Sequence, residues 1–264
     1  VAMLEDADRP CIVAGEGVLR ANATDKLIRF AECLSIPVFT AWRRFDAFPN
    51  KHPLYMGGLN LSSVSNDLSE PLKNADLIMA IGTRLDEFTT LSYSSPSTEQ
   101  KLIHIDQSPE ETGGSWIGAD LALIADAGEA IDKLEEALKN SKRAKPSKAR
   151  QQQIADWSKH YTKRTTPRSN RKDHKDGSID LEGVYYDILN ILTDDASISC
   201  DAGDFGSWLI RYYKWNKPRT FFGPTTGAMG YALPAAIAAK LARPQAPALA
   251  FAGDGGFAMT MSEL

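Results

Sequence analysis

The chain has 264 residues, 43% of them hydrophobic and 24% charged, with a formal net charge of -4. That length suffices for one large hydrophobic core or two ordinary ones, and the mild acidity argues against nucleic acid or an anionic membrane as the main partner. Cys11, Cys33 and Cys200 are far apart and form no CxxC or CxxH pair, which argues against zinc and a disulfide framework and for a reduced, cytoplasmic compartment.

No stretch approaches the ~20 uninterrupted apolar residues of a membrane span. Val1 to Asp6 carry neither a basic region nor an apolar signal core. They read as the tail of a helix, and Met261 to Leu264 read as a helix just begun. Both ends are therefore expected to be cuts inside a longer protein.

Pro10 to Ala14 is an apolar run that stops at Gly15-Glu16-Gly17, which predicts a buried strand followed by a turn. Leu27, Ile28, Phe30, Ala31 and Leu34 then recur at helical spacing. Ile36 to Thr40, Asp76 to Gly82 and Lys101 to Asp106 are further strand candidates. Leu121 to Ala125 adds another, and Ala127 to Lys139 reads as a closing helix. Near-continuous apolar strands alternating with helices imply a parallel sheet covered on both faces.

The composition then turns basic, through Lys142, Arg143, Lys145, Lys148, Arg150, Lys159, Lys163, Arg164, Arg168, Arg171 and Lys172. Trp157 and Tyr161, four residues apart, are placed to anchor a helix there. A solvated connector is the better reading of this run than a nucleic-acid patch, given the acidic remainder. A second alternating unit follows: a helix over Leu181–Leu192 with Ser178 or Asp180 as N-cap, and a strand over Ala196–Cys200. Next come a helix over Phe205–Tyr213, an Ala-rich helix over Met229–Ala242 interrupted early by Pro234, and an apolar strand over Pro247–Ala252. The fold class is thus α/β, with two Rossmann-like parallel-sheet units, the second expected to be incomplete at its C-terminus. The expected boundaries are 1–140, a connector over 141–176, and 177–264.

Three segments carry residues suited to chemistry. Gly253-Asp254-Gly255-Gly256 lies between a strand and a helix, and ligands of parallel sheets bind beyond the carboxyl ends of the strands. Its glycines allow close backbone approach, and Asp254 suits a phosphate only if a divalent cation sits between them. A tight Asp-Gly turn is an equal reading. Asp201-Ala202-Gly203-Asp204-Phe205 stands at another strand end, where an ordinary turn with Asp204 as N-cap is favoured in isolation. The segment from Gly223 through Gly227-Ala228-Met229-Gly230 to Ala236 allows close approach to a flat ligand, with Met229 able to fill space beneath a ring. Alone it reads as a tightly packed helix.

Together and in this order the three resemble the diphosphate-binding domain of thiamine-diphosphate-dependent enzymes of the acetolactate synthase and benzoylformate decarboxylase family. The resemblance implies that Asp254 is a Mg²⁺ ligand and that Gly255 and Gly256 present backbone to the diphosphate. It places Gly203, Asp204 and Phe205 in the family's other diphosphate loop. Gly227 falls where a carbonyl accepts from the cofactor's 4′-amino group. Met229, after Ala228, falls where a bulky apolar side chain holds the cofactor in its bent shape.

The first half resembles the family's Rossmann-like central domain through Arg9-Pro10…Ala14-Gly15-Glu16-Gly17, Ile36-Pro37-Val38, Ala75-Asp76-Leu77-Ile78 with Gly82-Thr83-Arg84, and Ile103-His104-Ile105-Asp106. Acetolactate synthases hold FAD there, which makes Gly15, Gly17, Arg84 and Asp106 candidate contacts. Many relatives bind no flavin, and a surface or interdomain role is preferred for Arg84. Arg20 stands where a dinucleotide fingerprint needs Gly or Ala, which argues against NAD.

The implied activity is decarboxylation or carboligation of a 2-oxo acid by a homo-oligomer. No catalytic side chain is assigned to this chain. The glutamate that protonates the cofactor's N1′ is expected in a pyrimidine-binding domain that precedes it in the family, and an Asn that supplies a second metal ligand is expected after Leu264. Asp204 departs from the Asn or Gln usual in relatives. The chain alone is expected to be inactive. The alternative reading is a non-catalytic nucleotide-binding or interaction module.

Overall fold

The computed structural model describes residues 1–60, 67–112, 116–139, 146, 148–172, 174 and 176–264, apart from the side chain of residue 149. The basic residues Lys142, Arg143 and Lys145 lie outside the described residues. The chain divides into two compact units, Val1–Tyr161 and Thr162–Leu264.

The first unit contains six strands: β1 (Pro10–Ala14), β2 (Val38–Thr40), β3 (Tyr55–Gly58), β4 (Leu77–Ile81), β5 (Lys101–Asp106) and β6 (Leu121–Ile124). All adjacent pairs are parallel, in the order β3-β2-β1-β4-β5-β6. Its helices are α1 (Ala2–Asp6), α2 (Glu16–Arg20), α3 (Thr24–Leu34), α4 (Glu70–Lys73), α5 (Ala127–Lys139) and most of α6 (Lys148–Thr165). Every residue of β1 and β4 is buried, as apolar strands covered on both faces require. The core is completed by Leu27, Phe30 and Ala31 of α3 and Ile131 of α5.

Two expectations for this unit change. Gly15-Glu16-Gly17 does not make a simple turn. Gly15 is the extended N-cap of α2, which starts at once at Glu16. The strand β3 has no counterpart in the expected set, because Tyr55-Met56-Gly57-Gly58 ends in two glycines of low strand propensity. Within the basic stretch, α6 buries Ile154 and Tyr161 and packs Trp157 against the core, so the anticipated aromatic anchor forms. Tyr161 meets Tyr55 edge-on at 5.5 Å.

The second unit has a parallel sheet of three strands, β7 (Ser197–Cys200), β8 (Phe221–Phe222) and β9 (Ala248–Phe251), in the order β8-β7-β9. Its helices are α7 (Leu181–Ile191), α8 (Phe205–Tyr212), α9 (Ala232–Ala242) and α10 (Asp254–Thr260). Asp180 caps α7 by accepting from the Gly183 N–H at 3.4 Å.

The Ala-rich helix begins at Ala232 rather than Met229, because Gly230 has φ +78 and breaks the helical run. Pro234 then falls in the first turn of α9 and does not interrupt it, since N–H groups there have no partner within the helix anyway. Trp215, Ile198 and Leu209 are buried in this unit. Among the described residues no helix is long and apolar enough to cross a membrane.

Candidate functional site

Because β7, β8 and β9 are parallel, their carboxyl ends share one edge of the sheet. That edge delivers Asp201 from β7, Gly223 from β8 and Gly253-Asp254 from β9. The three sequence segments are therefore brought together by topology. Asp201 N–H donates to the Phe251 carbonyl at 2.9 Å, and Ala202 N–H donates to the Ala228 carbonyl at 3.1 Å. A β-carbon built on Gly255 would stand 3.2 Å from Met229 Cε, and one on Gly253 would stand 3.5 Å from the Phe205 ring.

Most of the expected site residues line an open surface. Gly203, Asp204, Gly227, Asp254 and Gly255 are exposed, Met229 is 48% exposed, and Phe205 and Ala228 are half-buried. Open space lies where a β-carbon of Gly227 would stand. Asp254 is the first residue of α10, and its carboxylate accepts from the Gly255 N–H at 2.8 Å. Among the described residues no group of three or more His, Cys, Asp or Glu side chains is gathered as a metal cage. A Mg²⁺ held by one or two carboxylates and by phosphate oxygens needs none.

Gly256 differs from its neighbours. It is buried, and a β-carbon on it would stand 2.3 Å from Asp201 Oδ2. Asp204 is the N-cap of α8 but makes no side-chain capping bond. The start of α8 is braced instead by Tyr185, whose hydroxyl donates to the Phe205 carbonyl at 3.3 Å and whose ring stacks on Phe251. Burial pushes the Tyr185 hydroxyl well above the usual tyrosine range, which keeps it a donor.

Asp201 opens one of the three segments but has no expected role of its own, and the structure places it at the centre of several bonds. It is buried, and its carboxylate accepts from Gly230 N–H at 2.8 Å, Tyr231 N–H at 2.8 Å and Ala232 N–H at 2.6 Å. The first turn of α9 has no side-chain cap of its own, since its N-cap is Tyr231. The partners of Asp201 are backbone N–H groups, which leave no mark in the sequence.

In the first unit β1 and β4 are neighbours while the chain leaves them in opposite directions across the sheet. This is the switch point where dinucleotides bind in such sheets. Here the glycines are turned inward. Gly15 N–H donates to the Ile81 carbonyl at 3.0 Å, and Gly17 N–H donates to the Gly82 carbonyl at 2.8 Å. Neither N–H is left to cradle a phosphate. Arg84 is exposed, with Nε 4.0 Å from Glu111, and Asp106 accepts from the Ser108 N–H at 2.9 Å. The N–H donors of the glycine pair are thus already used within this edge of the sheet.

Residues 1–134 match the family described as "Thiamine pyrophosphate enzyme, central domain", and residues 201–264 match "Thiamine pyrophosphate enzyme, C-terminal TPP binding domain". An acetolactate synthase of Mycobacterium avium is 32% identical over 265 residues, covering 99% of this chain and 41% of its own length. The acetolactate synthase large subunit of Corynebacterium glutamicum is 32% identical over 267 residues, covering 100% of this chain and 41% of its own. A sulfoacetaldehyde acetyltransferase of Castellaniella defragrans is 29% identical over 279 residues, covering 99% of this chain and 46% of its own. The chain thus spans less than half the length of these relatives. With one match over each unit, the chain belongs to the thiamine pyrophosphate enzymes.

Proposed function

We propose that this chain is part of a thiamine diphosphate- and Mg²⁺-dependent enzyme that acts on 2-oxo acids by decarboxylation, carboligation or both, in the manner of acetolactate synthase. The observation that carries the reading is the meeting of three separate glycine-bearing segments at one sheet edge, with the tip of Met229 against Gly255. Residues 1–140 are its central domain, 141–176 a connector and 177–264 the diphosphate-binding part.

In this reading Asp254 is the metal ligand. Gly255 and Gly256 turn backbone toward the diphosphate from one side, and Gly203, Asp204 and Phe205 do so from the other. The Gly227 carbonyl accepts from the aminopyrimidine, in the open space beside it. Met229, half out of the surface, supports the bend of the cofactor. When bound, thiamine diphosphate supplies the electron sink for a carbanion. This chain contributes binding and orientation. The glutamate that handles the cofactor's proton is expected outside it, and the working enzyme is expected to be a cytoplasmic homo-oligomer.

Asp254→Ala in the full-length protein tests the assignment. Metal-dependent binding of thiamine diphosphate should be lost while the fold is retained, because the side chain is exposed. Unchanged binding would refute it. The isolated chain with Mg²⁺ should bind thiamine diphosphate weakly and turn over no 2-oxo acid, and micromolar or tighter affinity by calorimetry would count against that.

One residue favours a second reading, a non-catalytic module that keeps the fold. A carboxylate at Asp204 repels a diphosphate unless it is turned away. The same Asp254→Ala experiment separates the two, since a module without the cofactor would be indifferent to the change.

A further inference from the structure

The segment that carries Met229 is held at both ends from one corner of the sheet. Upstream, the Ala228 carbonyl accepts from the Ala202 N–H. Downstream, Gly230 N–H donates to Asp201 Oδ2, and Tyr231 and Ala232 N–H donate to Oδ1. Two residues earlier on β7, Ser199 donates its hydroxyl to the Ala232 carbonyl at 2.6 Å, from the same face of the strand. The same Asp201 Oδ2 also lies against Gly256, in the space a side chain there would fill. One buried carboxylate therefore touches the backbone of both segments that would contact a ligand.

We infer that Asp201 is a positioning residue that sets where the segment 227–229 stands relative to residues 254–256 at the start of α10. The inference rests on the reading of this corner as a thiamine diphosphate site. It assigns Asp201 no contact with the ligand. Its carboxylate fixes the distance between the part of the site that would meet the ring system and the part that would meet the diphosphate and metal.

Asp201→Asn separates positioning from plain helix capping. An amide retains one oxygen, which can still accept from Tyr231 and Ala232 and keep α9 capped. Its other end is now an NH₂ facing the Gly230 N–H, donor against donor, so only the bond next to Met229 is broken. The test is calorimetric titration of the full-length protein and this variant with two probes, Mg²⁺–thiamine diphosphate and Mg²⁺–inorganic pyrophosphate.

Loosening a preorganised site should weaken the first probe about tenfold or more and leave the second within about twofold. Equal losses for both probes, or no loss for either, would overturn the inference while leaving the cofactor reading intact. A wild-type protein that bound neither probe would overturn both.

If the variant does not fold, hydrogen exchange on the wild-type protein without cofactor decides. The amides of Gly230, Tyr231 and Ala232 should be strongly protected. Exchange at the rate of an open loop would show that no clamp exists.

Discussion

Gly17 and Gly82 are pressed together backbone to backbone: a β-carbon on Gly82 would stand 2.4 Å from the Gly17 α-carbon, and one on Gly17 would stand 2.6 Å from that of Gly82. The start of α2, just after β1, and the turn that follows β4 are thereby joined at the carboxyl edge of the first sheet. His104, fully buried on β5, has its Nε2 2.8 Å from the Thr83 carbonyl next in line.

Gly82→Ala should therefore be severely destabilising. Gly82 has φ +58, a left-handed conformation that costs a side chain energy in itself, and here the added methyl meets backbone that cannot rotate away. A loss of roughly 3 kcal/mol is expected from overpacking and strain together. Urea unfolding of the variant checks it, and a loss under about 1 kcal/mol would mean that α2 and the turn after β4 separate easily.

Met229→Ala should do the reverse, sparing stability and harming binding. With 48% of the residue exposed, truncation should cost about 1 kcal/mol or less in thermal or urea unfolding. In the full-length protein the affinity for thiamine diphosphate should nevertheless drop. Stability lost with binding unchanged would make Met229 a packing residue only.

Asp180 should give the second unit part of its acid sensitivity. The Lys172 N–H at 2.7 Å, the Gly183 N–H and Arg168 hold its carboxyl below the ordinary aspartate value. Since the folded value is the lowered one, its contribution is complete above the unfolded pKa of about 3.9 and fades as pH falls through the folded value. The stability gap between wild type and Asp180→Ala, measured by urea unfolding at a series of pH values, should be widest near neutrality and close in acid. A gap that does not change with pH would mean that the carboxylate charge plays no part.

Much of this architecture is legible in the amino-acid sequence. The strands at Pro10–Ala14 and Lys101–Asp106 and the helix at Ala127–Lys139 fall where apolar patterning places them, because burial on both faces or on one helical stripe leaves a clear period. The two-residue β8 and the glycine-ended β3 leave no such period. The false start of the Ala-rich helix at Met229 has a tertiary cause. Gly230 takes a left-handed φ of +78 that no helix continues through, and the Asp201 carboxylate holds it there by accepting from the Gly230 and Tyr231 N–H groups.

The candidate site divides in the same way. Gly227, Met229 and Asp254 were legible because their side chains, or the lack of one, suit a ligand. Asp201 was not, because its partners are backbone N–H groups, which carry no signature in a sequence. The burial of Gly256 is equally hidden, because it comes from the carboxylate of a residue 55 positions earlier in the chain.

The Asp201 contacts also bear on how this corner comes into being. They join positions 29 to 31 residues apart in the chain, so they cannot form until β7 and the start of α9 have met. Loop closure of that length has an entropic cost, and non-local contacts of this kind form late. A short peptide carrying Gly227 to Ala236 would have the residues without their arrangement. In the folded chain the disorder of that segment has already been removed, so a ligand arriving at the sheet edge meets a backbone that no longer needs to be organised around it.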